Sequence, residues 1–186
     1  MTTKGKLNRR RFIKVAAAAM TAGASISCWK AGGPWRFLTA DEARTLAAIC
    51  DQIIPEDPDP GAVAANVVNY IDLQLCGFFR NRRNIYRQGI TEIDQRSMAR
   101  YGKKFADLPC EKQTEYLTAL DRNDSSNGTS LQQFFRLVVS HTMQGFYGDP
   151  RHGGNLNRVS WKMLRLPYPP VRGRYDFNAA RDTGIS

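Results

Sequence analysis

The sequence predicts an all-α domain: a compact bundle of about five helices followed by a long irregular C-terminal segment. Three observations predict it. Apolar residues recur at i, i+3, i+4 and i+7 in successive stretches. No stretch alternates with period two between hairpin turns. Capping residues open two of the helical stretches, at Thr39 and Asp107, and Pro55 and the glycines from Gly145 close two.

Each element follows from its own residues. Thr39 opens the first helix, and Glu42 three residues later completes a capping box. Leu46, Ile49 and Ile53 then fall at helical spacing until Pro55 stops the run. The acidic loop "PEDPDPG" carries Glu56, Asp57 and Asp59 without EF-hand spacing, and reads as a solvated turn. A second helix places Val63, Val67, Ile71, Leu75 and Phe78 on one face. A third runs from about Asn81 to Tyr101, basic at its start, with Ile90, Ile93 and Met98 apolar. Asp107 is the expected cap of a fourth, which buries Tyr116, Leu117 and Leu120. Beyond the polar "DRNDSSNGTS" lies the most apolar helix, "SLQQFFRLVVSHTMQGFYGD", with Leu131, Phe134, Phe135, Val138 and Thr142 on one face. It ends near Gly145 to Gly148, and the glycines of "YGDPRHGGN" are its stop and the following turns. The final "RLPYPPVRGRYDFNAARDTGIS" has three prolines and no periodicity. A tail of that length is expected either to lie along a partner or to be a disordered end.

The net charge of +10 is not spread over the chain. Residues 1–30 hold seven basic residues and no acidic one, which leaves 20 basic against 17 acidic in the remainder, a net of +3. That surface gives no case for nucleic-acid binding. The N-terminus instead reads as an address. Basic residues precede an apolar run from Val15 to about Ile26, too short to span a bilayer, for which about 20 residues are needed. Arg9, Arg10, Phe12, Ile13 and Lys14 resemble the twin-arginine export signal, which is read by the Tat translocase and carries folded cargo. The expected organisation is a signal peptide over 1–27, a linker over 28–36, a helical domain over 37–167 and an extended tail over 168–186. An alternative reading lipidates Cys28 and makes the chain a lipid-anchored periplasmic structural protein.

Catalytic signatures are missing. No pair among Cys28, Cys50, Cys76 and Cys110 is spaced C-x-x-C, and no C-x-x-C-H for covalent haem occurs. Disulfide connectivity stays open. There is no dinucleotide fingerprint, no G-x-S-x-G elbow and no H-E-x-x-H. The two histidines are His141, expected in the core, and His152, which with Asp149 makes half a metal site. A small metal-dependent enzyme using His141, His152 and Asp149 is therefore the competing reading, and no cofactor is expected in this chain.

Three stretches carry a family resemblance: "FLTADEARTLAAICDQIIPEDPDPGA", "VVNYID" and "FYGDPRHGGNLNRVSWKML". Together they resemble the small (gamma) subunit, or subunit 3, family of gluconate 2-dehydrogenase, from about Phe37 to Pro167. The last is the most specific, leading from Gly145-Phe146-Tyr147-Gly148-Asp149-Pro150 through Gly153-Gly154-Asn155 to Trp161-Lys162-Met163. Two positions depart from the family pattern: His152 stands where an aromatic is expected, and the ending "LRLPYPP" replaces a glycine–proline one. The resemblance implies a non-catalytic subunit of a periplasmic dehydrogenase complex peripheral to the inner membrane. In such complexes a large FAD-dependent flavoprotein oxidises a sugar or sugar acid, and a multihaem cytochrome c subunit often passes the electrons on. The small subunit supplies the export signal for the folded pair. The loop itself is expected to be shaped to dock on the flavoprotein, through Phe146, Tyr147, Gly148, Asp149, Pro150, His152, Gly153, Gly154, Asn155, Trp161 and Lys162.

Overall fold

A computed structural model of the chain describes residues 35–122 and 129–166, so the export signal, Cys28 and the proline-rich tail lie outside the described residues. The described residues are all-α. Six helices follow one another: α1 (Ala40–Ile53), α2 (Val67–Cys76), α3 (Arg83–Tyr101), α4 (Cys110–Arg122), α5 (Ser130–Tyr147) and the single turn α6 (Val159–Met163). Short 3-10 turns stand before α3, α4 and α6 and directly after α5.

The two helices with the clearest sequence signals form as their residues dictate. Thr39 caps α1: its hydroxyl accepts from Glu42 N and the Glu42 carboxylate accepts from Thr39 N, so two otherwise orphaned amides are satisfied. Thr129 and Gln132 repeat the device at the start of α5. Leu131, Phe134, Phe135, Val138 and Thr142 are all buried, as their spacing predicts. This stripe makes α5 the hub of the bundle, in contact with α1, α2, α3, α4 and α6. Phe134 fits against α3 because Gly89 leaves room there; a Cβ at that position would sit 2.1 Å from the ring.

Two expectations are corrected. The apolar face assigned to the second helix is too long at both ends. Val63 lies in the turn before Asn66, which enters α2 through a left-handed φ of 56°, and Phe78 lies beyond Gly77, turned out to solvent. On α3, Ile90 and Ile93 are buried and Met98 is half exposed. Asp107 does not cap the fourth helix. It ends the 3-10 turn Phe105–Asp107 and pairs with Arg44 of α1, while the Pro109 carbonyl accepts the first amides of α4, from Lys112 and Gln113.

One buried charge fastens the start of the domain. Asp72 on α2 is 0% exposed and accepts three successive backbone amides, Arg36 at 2.8 Å, Phe37 at 3.0 Å and Leu38 at 2.9 Å. The guanidinium of Arg36 adds an ion pair at 3.7 Å. Arg83 and Arg87 stack over the Phe37 ring, and Arg87 also donates to the Phe37 carbonyl. A buried carboxylate is tolerated only when its oxygens are filled in this way. Asp72→Ala leaves three amides without their acceptor and should lower stability by about 3 kcal/mol, read as a lower urea midpoint at unchanged slope.

Candidate functional site

The stretch with the most specific sequence pattern follows α5. The last carbonyls of any helix lack intrahelical partners, and here residues 155–161 return to supply them. Ser160 Oγ donates to the Phe146 carbonyl at 2.6 Å. Trp161 Nε1 donates to that of Tyr147 at 2.9 Å, and Asn155 Nδ2 to that of Gly148 at 2.9 Å. Asn155 Oδ1 in turn accepts from Ser160 N at 3.1 Å. Asn155 is 0% exposed and left-handed, with φ 45°, a conformation that Asn tolerates better than most residues. The result is a clasp closed over the C-terminus of α5.

Between helix and clasp the chain makes a second small turn. Asp149 caps the 3-10 turn Pro150–His152 by accepting from Arg151 N at 3.0 Å, and its carboxylate also holds the Arg151 guanidinium. Gly153 follows with φ +91°, and its carbonyl accepts from Asn69 of α2 at 2.7 Å. Gly154 is pressed against α5. A Cβ there would lie 2.3 Å from the Gly145 carbonyl oxygen and 3.0 Å from Tyr70 Cβ. Leu156 N donates to the Ala65 carbonyl, so the clasp is tied to the entry of α2 as well.

These contacts sort the eleven docking candidates. Phe146, Gly154, Asn155 and Trp161 face the domain interior, and Gly148, Asp149, Pro150 and Gly153 are half-buried in the turn. Tyr147, His152 and Lys162 are exposed. The sequence reading missed Leu156, Leu164 and Leu166, which each leave nearly half their surface in solvent. Their signal was available: three leucines in a Gly- and Pro-rich, basic stretch with no helical face to join.

A protein-family model described as gluconate 2-dehydrogenase subunit 3 matches residues 40–167, from the first residue of α1 to just past the clasp. The chain belongs to the gluconate 2-dehydrogenase subunit 3 family. No curated protein and no solved structure matches it. Within this subunit 3 domain, residues 155–161 cap the central helix.

The histidines and thiols of the subunit are placed apart in kind. His141 is buried: its Nδ1 lies 2.8 Å from the Tyr86 hydroxyl, and its ring stacks on Phe79 at 3.8 Å. Burial, helped by nearby Arg82, pushes its pKa down to about 4, so the ring is neutral near pH 7. His152 is exposed, and Asp149 is engaged by Arg151. Among the described residues no group of three or more His, Cys, Asp or Glu side chains is placed to hold a metal ion. Burial drives the Cys50 thiol up to about 12, even though Thr142 lies 3.3 Å away and favours the thiolate. Cys50, Cys76 and Cys110 are free.

The clasp is expected to be sensitive to small changes. Gly154→Ala should cost about 3 kcal/mol, because the new methyl meets backbone rather than a mobile side chain. Asn155→Ala should cost about 2 kcal/mol, leaving the Gly148 carbonyl and Ser160 amide unpaired. Urea midpoints check both. A further expectation concerns pH. The folded His141 titrates near 4 and the unfolded ring near 6.5. Between those values protons bind the unfolded chain preferentially, so stability is fully present above about 6.5 and is lost as the pH falls towards 4. His141→Gln, which does not titrate, should flatten that part of the stability–pH curve relative to the parent.

Proposed function

We propose that the chain is a non-catalytic small subunit of a periplasmic, FAD-dependent sugar or sugar-acid dehydrogenase, and that it exports and stabilises the flavoprotein subunit. The family match over residues 40–167 carries this reading. It is supported by a leader with the twin-arginine pattern on a chain that has no dinucleotide fingerprint of its own. Export of a folded pair requires one leader and a firm grip on the cargo. The clasp supplies a rigid platform for that grip, since its polar groups are already satisfied within the domain and impose no unpaired cost on docking.

The contact surface on this reading is the exposed rim of the clasp: Tyr147, His152, Leu156, Lys162, Leu164 and Leu166. Half-exposed leucines beside a fixed aromatic provide the apolar centre that protein interfaces use. FAD resides in the partner, and a multihaem cytochrome c subunit completes the complex at the periplasmic face of the inner membrane.

Deletion of residues 1–27 should strand active flavoprotein in the cytoplasm when both chains are co-expressed. Periplasmic dehydrogenase activity surviving that deletion contradicts the export role. Leu164→Asp combined with Leu166→Asp should reduce co-purification of the flavoprotein at least about tenfold while changing the stability of the domain by less than about 0.5 kcal/mol, as expected of surface positions.

A further inference from the structure

The turn between α2 and α3 presents an unusual pair of features: an aromatic side chain fully turned out and a run of arginines with no acid within the run. Phe78 is 86% exposed, the most exposed large apolar side chain described. From Leu73 to Thr91 the chain holds Arg80, Arg82, Arg83 and Arg87 and no Asp or Glu. Arg83 and Arg87 are engaged within the domain, with the Leu75 carbonyl and with Glu42 and Phe37. Arg80 and Arg82 are exposed and form no ion pair among the described residues.

The turn is also closed by backbone hydrogen bonds. Gly77 N and Phe79 N both donate to the Gln74 carbonyl, at 3.0 and 2.8 Å, and Arg80 N and Arg82 N close the next two turns on Gly77 and Phe79. Phe79 turns inward and stacks on His141. The neighbouring Phe78 touches the Phe79 ring edge and is otherwise held out. Behind the turn, α3 begins without a side-chain cap or an acidic residue in its first turn, so the positive end of its dipole adds to the field of the arginines.

We propose that the Gly77–Arg82 turn is a direct contact for an anionic lipid surface, with Phe78 entering the interface and Arg80 and Arg82 binding phosphate headgroups. An exposed aromatic with two exposed cations in the same turn matches the layering of such a surface, apolar beneath and negative above. A protein pocket fits the turn less well. Apolar hot spots in protein interfaces sit among other contacts that exclude water, whereas the other exposed residues of this stretch, Gly77, Arg80, Asn81, Arg82 and Asn84, are all small or polar and add no apolar area to Phe78. Fluid headgroups accept a lone exposed ring without shape complementarity. This contact is independent of the dehydrogenase reading and would place lipid against the subunit itself rather than through a partner.

Vesicle partition of the full chain tests it, with Lys4, Lys6, Arg9, Arg10, Arg11 and Lys14 changed to Gln in every sample so that the leader adds no charge. Equimolar phosphatidylglycerol–phosphatidylcholine vesicles are compared with phosphatidylcholine alone. Arg80→Ser with Arg82→Ser should weaken partition onto the anionic vesicles about 30-fold, some fivefold for each arginine. Phe78→Ser should weaken it about tenfold. Both variants should keep the parent urea midpoint, because the side chains removed are exposed. In Phe78→Trp, brominated lipids should quench fluorescence beyond the quenching seen in the parent. Partition of the serine variants equal to that of the parent overturns the proposal, as does the absence of any added quenching in Phe78→Trp. Equal binding to neutral vesicles, or capture of an acidic protein with no vesicle binding, overturns it as well.

Discussion

The domain depends on how closely α2 and α5 approach one another. Gly145 lets the Tyr70 ring lie against the α5 backbone: a Cβ at 145 would fall 2.9 Å from that ring. Gly154 then occupies the remaining space between the Gly145 carbonyl and Tyr70. A side chain at 145 would push Tyr70 and Val67 off α5, and one at 154 would hold the stretch of chain from Gly153 to Trp161 away from the helix end. The Phe146, Tyr147 and Gly148 carbonyls would lose Ser160, Trp161 and Asn155 together. Buried carbonyls without partners are costly, so packing at two glycines and hydrogen bonding at three carbonyls form one unit.

Much of this is legible in the sequence where the determinants are local. Thr39 with Glu42 marks the start of α1, and the stripe from Leu131 to Thr142 marks α5, because caps and helical periodicity act within a turn or two. Sequence and structure part where a distant partner decides. Asp107 resembles a helix cap, but Arg44, 63 residues away, takes its carboxylate. Phe78 continues the spacing of α2, yet the helix has stopped at Cys76 and the next ring in, Phe79, claims the place against His141. The Asp72 anchor has no local signature at all, since its three amides lie 34 to 36 residues upstream.

The glycine-rich stretch stops α5 as its residues predict, and its other role looks different in three dimensions. Four of the eleven residues assigned to docking point into the domain. Asn155 is the clearest case: a small polar residue in a loop suggests surface, and only the positions of the Gly148 carbonyl and Ser160 amide reveal it as a buried bridge. What the clasp offers outward is its rim, where Leu156, Leu164 and Leu166 stand in solvent. Rigid capping within and apolar exposure without are compatible demands, because a surface that is already ordered loses little entropy on binding.

Membership of the subunit 3 family makes the chain a subunit of a gluconate 2-dehydrogenase complex; on the proposed reading it serves as carrier and platform, with the oxidation carried out in a partner. The most direct measurement is to co-express the chain with its flavoprotein, recover the chain from the periplasm by an affinity tag, and determine flavin per chain in the purified material. The account predicts an equimolar complex with FAD bound in the large subunit and none in this chain when the two are separated. Recovery of the chain alone, without flavoprotein and without flavin, would contradict it.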